Sequence, residues 1–212
     1  PLGALALVRA FAARGVRASL FCDVHNGPVL AAAYEAVVRE LPEAMERARC
    51  LPCVSDNSAN SSHGGTLRDR AVELCTQLGS ALRQAWGDEL EEVDCLFALE
   101  RLGLPYKNIR GHDLQEHTEP VDLLWPHEQQ EALPSAAELR ELAGVATSAV
   151  SLGLGDGGNE VGMGKVALFP DIAELAPAGF APLTVNGCQC SCDHLIVATV
   201  SNWGGAAFEM AA

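Results

Sequence analysis

Thirteen residues, Gly153 to Lys165 (GLGDGGNEVGMGK), hold six glycines interleaved with Asp156, Asn159, Glu160 and Lys165. Glycine lets the main chain approach a ligand closely or turn through positive φ. Asp156, Asn159 and Glu160 are oxygen donors that can ligate a hard cation such as Mg²⁺ or Mn²⁺, with Asp156 and Glu160 as the charged ligands, or hold an ammonium group. The competing reading is a tight turn whose acids cap the helix that follows. Gly153-x-Gly155-x-x-Gly158 also satisfies the dinucleotide fingerprint formally. Three features oppose a nucleotide. Asp156 and Glu160 would repel a pyrophosphate, the loop lies late in the chain, and three prolines interrupt residues 165–182, so no clean βαβ unit follows. A P-loop is excluded because Val166, not Ser or Thr, follows Lys165.

Further polar groups lie just beyond apolar runs: Asp23 after VRASLFC (16–22), Glu100-Arg101 after VDCLFAL (93–99), and Ser201-Asn202 after LIVATV (195–200). YKNIRGHD (106–113) adds Asn108 and Arg110, and an arginine there can clamp a carboxylate through two parallel hydrogen bonds. Taken alone, Glu100-Arg101 reads as a surface ion pair, while 106–113 fits an ordinary polar loop as well as it fits a clamp. His112, His117 and His127 fit no metal-ligand spacing and are expected to be exposed, and Trp203 is expected to pack rather than stack on a ligand.

These groups need a scaffold that brings them together. Leu5, Val8 and Phe11 set a helix over 2–14, closed by Gly15. A strand over 16–22 follows, then a helix with Asn26 as cap, Pro28 in its first turn, and Leu30, Ala33, Val37 and Leu41 on its apolar face. A short strand is expected over 49–54. SDNSANSSHGG (55–65) is a solvated connector or lid. Leu67, Ala71, Leu74, Leu78, Ala81 and Ala85 form a long helical stripe. Residues 93–99 read as a buried strand, Ser135 to Glu138 as a capping box, 149–154 as a strand running into the glycine loop, and 195–200 as the last strand. Alternating strands and helices predict an α/β fold with a mainly parallel, doubly wound, Rossmann-like sheet and helices on both faces. Ligands bind beyond the carboxyl ends of such strands, and the polar clusters fall there, which points to one shared crevice.

The formal charge of −14 argues against a nucleic acid or an anionic membrane surface as partner. No apolar run approaches the roughly 20 residues of a membrane span. Cys50-x-x-Cys53 is a single CxxC and Cys188-x-Cys190-x-Cys192 a dense trio, without the two knuckles of a zinc ribbon. Cys22, Cys75 and Cys95 lie in apolar patterns and read as buried thiols in a reducing compartment. The chain opens Pro1-Leu2-Gly3 with a helical pattern and no Met, and is expected to be a fragment.

GDGGNEVGMGK (155–165) together with DHLIVATVSNWGG (193–205) resembles the C-terminal domain of the mitochondrial D-glutamate cyclase family. ALERLGLPYKNIRGHDL (98–114), PVDLLW (120–125) and PLGALALVRAFAARGVRASLFCD (1–23) are similar to the same domain, so the resemblance covers most of the chain. It implies one domain over 1–212, truncated at its N-terminal edge, beside an upstream N-terminal domain of the full-length enzyme. It further implies a lyase of the mitochondrial matrix that converts D-glutamate to 5-oxo-D-proline and water. Under it, Asp156, Glu160 and Lys165 are the candidate catalytic residues. Asp23, Glu100, Arg101, Asn108, Arg110, Gly157, Gly158, Asn159, Ser201 and Asn202 are candidates for holding the small acidic substrate. A non-catalytic ligand-binding or assembly domain of the same enzyme is the first alternative, and a nucleotide-dependent Rossmann-type enzyme the second.

Overall fold

The structure, a computed structural model, describes residues 2–22, 26–52, 66–101, 103, 120–127, 133–155, 160–167 and 188–211. The first helix, α1 (Leu2–Ala13), buries Leu5, Val8 and Ala12 along one stripe. Gly15, at φ +78°, turns the chain out of it. Strand β1 (Ala18–Leu20) follows, then α2 (Gly27–Glu40), a 3₁₀ turn at Glu43–Met45 and β2 (Ala48–Cys50). Pro28 sits in the first turn of α2 as expected, but the Asn26 side chain makes no capping bond. Leu41 ends the helix and stays 41% exposed, so the apolar face of α2 closes before it. Leu5, Val8, Ala12, Leu20, Leu30, Met45 and Ala48 form one core cluster.

The long stripe becomes α3 (Leu67–Trp86), opened by a reciprocal capping box between Thr66 and Asp69. After it come β3 (Val93–Leu99), a 3₁₀ turn at Pro120–Leu124, α4 (Ala136–Ala143) and β4 (Val145–Gly155). The Ser135–Glu138 capping box forms as expected. A short helix, α5 (Gly164–Ala167), follows the glycine loop, then β5 (His194–Val197) and α6 (Ser201–Ala211). β4 begins four residues before the expected strand, and β5 stops three residues short of it. Gly79 lets α3 approach α4 closely, since a Cβ there would lie 2.5 Å from the Leu142 carbonyl oxygen. A second core cluster includes Leu67, Leu74, Leu78, Leu82, Leu124 and Leu139; the neighbouring Arg140 donates to the carbonyls of Leu124 (2.9 Å), Thr147 (3.0 Å) and Ala149 (3.2 Å). It binds the 120–124 turn to β4, and burial pulls its guanidinium below its ordinary value.

All strand pairs among the described residues are parallel, as expected of an α/β fold. β1 pairs with β2 through Ala18–Ala48 and Leu20–Cys50. β3, β4 and β5 form a separate sheet in that order, with Leu99 opposite Leu154 and Gly155 opposite Val197. The expectation of a buried β3 is corrected: Asp94 and Cys95 are exposed. The cause is topological, since among the described residues β3 has a strand partner on its β4 side only. Cys75 is buried as expected and Cys22 half-buried.

Candidate functional site

The strand exits bring three of the expected residues together. Glu100, directly after β3, has φ +51°, a conformation few non-glycine side chains adopt. Its N–H donates to the Leu154 carbonyl at 3.0 Å, which extends the β3–β4 ladder by one bond. The next carbonyl, that of Arg101, accepts from the Val161 N–H at 2.7 Å. That bond fastens the returning arm of the glycine loop to the end of β3, so Glu100, Arg101 and Glu160 occupy one neighbourhood.

Arg101 does not pair as a lone surface dipeptide would. Its Nε donates to Asp122 Oδ1 at 2.7 Å, with the Asp122 side chain fully buried and that of Arg101 17% exposed. A carboxylate removed from water needs a partnered cation, and Arg101 supplies it. Asp122 escaped the sequence reading. Its signal was a lone acid within the apolar run PVDLLW (120–125).

The glycines of the loop have a packing role. The backbone at 160–162 folds back over β4. A Cβ on Gly153 would lie 2.6 Å from the Val161 carbonyl oxygen, and one on Gly155 would lie 2.9 Å from Glu160 Cβ. Gly162, at φ +98°, makes the turn, and its N–H donates to the Cys190 carbonyl at 2.9 Å. Glu160 is only 5% exposed, with its carboxylate oxygen close to Gly155.

Lys165 lies apart from this group. Its Nζ donates to the Asp193 carbonyl, and the Asp193 N–H donates to Ser151 O at 2.9 Å. Ser151 is four residues before Gly155 on β4, roughly 13 Å back along the strand. Asp193 Oδ2 also accepts from the Ser151 N–H (2.8 Å) and hydroxyl (2.7 Å), which holds its carboxyl below the ordinary range. Ser201 and Asn202 form the first turn of α6, beyond the end of β5. Asp23, Asn108, Arg110, Asp156, Gly157, Gly158 and Asn159 lie outside the described residues, as do His112 and His117.

Two expectations are corrected here. Trp203 is 70% exposed. The packing residues of its motif are Gly204, which fits against Leu154 and Ala198, and Gly205, against the Gly3 backbone, where α6 meets α1. His127 is half-buried, with Nδ1 2.9 Å from Trp125 O and Nε2 3.2 Å from Pro134 O. Cys188, Cys190 and Cys192 are all buried in the second core cluster, and no described cysteine is in a disulfide. Cys190 Sγ meets the Asp122 carbonyl at 3.7 Å, so the trio backs the same turn that carries the Arg101 partner. Among the described residues no three carboxylate, imidazole or thiol groups gather as a metal site, and no helix is long and apolar enough to cross a membrane.

Comparison with known proteins adds two findings. The profile of the family described as D-glutamate cyclase-like, C-terminal, matches residues 1–212. A human protein named D-glutamate cyclase, mitochondrial, is 32% identical over 153 residues, which is 70% of this chain and 20% of the human protein. The match thus spans about a fifth of that relative's length.

Proposed function

We propose, for a chain that belongs to the D-glutamate cyclase-like, C-terminal family, that it forms the C-terminal domain of a lyase closing D-glutamate to 5-oxo-D-proline. The observation that carries the reading is the junction of the β3 and β4 exits. There the Glu100–Leu154 and Arg101–Val161 backbone bonds set two acids and an arginine at the strand ends, where α/β folds bind ligands. The proposed scaffold is a doubly wound sheet, with the α1–α6 pair and the α3–α4 pair on opposite faces.

The reaction joins the substrate amine to its own γ-carboxyl carbon, and one carboxyl oxygen leaves as water. The amine must be neutral to attack, so a carboxylate that first holds the ammonium and then accepts its proton serves the step. Asp156 and Glu160 are the proposed carboxylates. A cation would hold the α-carboxylate and the oxyanion that forms on ring closure, with Arg110 in that role; Lys165, whose Nζ donates to the Asp193 carbonyl, would have to leave that bond to share it. Asp23, Glu100, Arg101, Asn108, Gly157, Gly158, Asn159, Ser201 and Asn202 would line the pocket. Holding the substrate curled favours an intramolecular closure. Asp156 and Glu160 are also the residues that would hold Mg²⁺ or Mn²⁺, which would act as a Lewis acid on the γ-carboxyl group. By the human relative's name, the protein would work in mitochondria, with the matrix as the proposed compartment.

The test is conversion of D-glutamate to 5-oxoproline by the full-length protein, in the wild type, Asp156→Asn and Glu160→Gln. Losses of 100-fold or more, the scale of removing a general base, are expected in the variants. Unchanged turnover would leave this domain a ligand-binding or assembly role. Turnover that survives EDTA removes the cation from the mechanism.

A further inference from the structure

Among the described residues Glu100 is the one non-glycine residue with a positive φ, +51°. In that region an L side chain crowds the neighbouring carbonyl, a strain that glycine avoids. The other described positions with positive φ are Gly15, Gly87, Gly144 and Gly162. The described chain therefore uses glycine wherever it turns this way, except at the β3 exit.

A strained residue persists only where its surroundings over-determine it. Both sides of Glu100 are fixed. Its N–H donates to the Leu154 carbonyl at 3.0 Å. The next residue is held twice, since the Arg101 carbonyl accepts from the Val161 N–H at 2.7 Å and its Nε donates to the buried Asp122 carboxylate at 2.7 Å. None of these three bonds uses the Glu100 carboxylate, so a glycine at this position could make the same turn with less strain. The side chain that stands there instead is exposed. With Arg101 it lines a cavity of about 890 Å³ that also takes in Asn26, beyond the β1 exit, and Leu51, beyond β2. Glu160, by contrast, is 5% exposed and packs on Gly155.

We infer that Glu100 is a specificity-determining residue, whose carboxylate receives the ammonium group of an amino-acid ligand at the strand exits. The inference rests on the cyclase reading and deepens it, because it names the group that tells an amino acid from the plain dicarboxylic acid of the same length. An ammonium carries three N–H donors. Glu100 takes one of them, while a carboxylate of the glycine loop takes another and accepts the proton that leaves before ring closure. A charged acceptor suits a charged donor, since such bonds are about twice as strong as neutral ones. The bonds on either side of Glu100 fix its backbone before the ligand arrives, so less freedom is lost on binding. That preorganisation is what the strained turn gives in return for stability.

The test compares the full-length protein with Glu100→Gln, which keeps the size and loses the charge, and Glu100→Gly, which also loses the strain. Calorimetry reads the binding of D-glutamate and of glutarate, the same carbon chain without the amine. Wild type is expected to bind D-glutamate roughly tenfold or more tightly than glutarate, the scale of one charged hydrogen bond, and both variants to bind the two alike. In turnover, Glu100→Gln should raise KM roughly tenfold and change kcat less, whereas a variant lacking the proton acceptor loses kcat. Glu100→Gly should unfold at a urea concentration equal to or above that of wild type, because the strain leaves with the side chain. A Gln variant that keeps the wild-type preference overturns the inference. So does a Gly variant with a lower midpoint, which would make the side chain a structural brace. Wild type that neither binds nor converts D-glutamate removes the cyclase reading and this assignment with it. Retained preference in Glu100→Gln, beside normal wild-type turnover, removes the assignment alone.

Discussion

Arg101 faces two ways at the end of β3. Its Nε holds the buried Asp122 carboxylate at 2.7 Å, and its carbonyl holds the Val161 N–H at the same 2.7 Å. The 120–124 turn, the β3 exit and the returning glycine loop are therefore linked through one residue. Replacing Asp122 with Ala leaves a mostly buried guanidinium without its carboxylate. A loss of about 3 kcal/mol is expected, measured as a shift of the urea midpoint. Faster amide exchange at Val161 should accompany it, and an unshifted midpoint would show that the pair is not a structural brace.

The two β4 glycines should differ in their tolerance of alanine. At Gly153 the new methyl meets the Val161 backbone oxygen at 2.6 Å, and backbone cannot swing away. At Gly155 it meets Glu160 Cβ at 2.9 Å, an atom that side-chain rotation does not move, but the overlap is shallower. Gly153→Ala is expected to cost about 3 kcal/mol and Gly155→Ala about 1 kcal/mol, read from denaturant unfolding. The reverse order would contradict the described packing of the loop.

Acid should loosen the β4–β5 junction. The Asp193 carboxyl is lowered, first by the Ser151 N–H and then by its hydroxyl. A lowered folded-state value means that the stabilisation is present above the unfolded value, near pH 4, and is lost as pH falls through the folded one. Asp69 and Glu138 shift in the same direction through their capping boxes. Thermal midpoints are therefore expected to fall below about pH 4. The fall should be shallower in Ser151→Ala, where the backbone donor remains. An identical slope would remove the hydroxyl from the account.

Helix α4 rests on its first turn. Ser135 Oγ accepts from the Glu138 N–H, while Glu138 Oε2 accepts from the Ser135 N–H at 2.7 Å. Ser135→Ala is expected to cost about 1 kcal/mol by chemical denaturation, with Ser135→Asp nearly neutral because aspartate also caps.

The cysteines should sort by position in the fold. Burial pushes the Cys75 thiol up to about 12, so at pH 8 it should label only on unfolding. Cys188 and Cys192 are also raised and buried, and should follow Cys75. Cys95 is exposed and should label in the native protein. Early labelling of Cys188 or Cys192 would mean that the core behind Asp122 opens readily.

Local signals carried far in this chain. The stripe from Leu67 became α3, both capping patterns formed, and Gly15 took the positive φ that ends α1. Each depends on residues within one or two turns of each other, so the sequence by itself determined them, along with the family through its glycine loop and Ser-Asn-Trp-Gly segment. Tertiary structure decided what depends on distant partners. Asp122 became the mate of Arg101 across 21 positions, which no spacing announces. Lys165 turned back along β4 to Asp193, away from the strand ends that its place in the motif suggested. Trp203 faced solvent because Gly204 and Gly205 beside it make the contacts with β4 and α1. The exposure of Cys95 was decided the same way. Its apolar strand reads as buried, but burial depends on a neighbour on each edge, and among the described residues β3 has one on only one side.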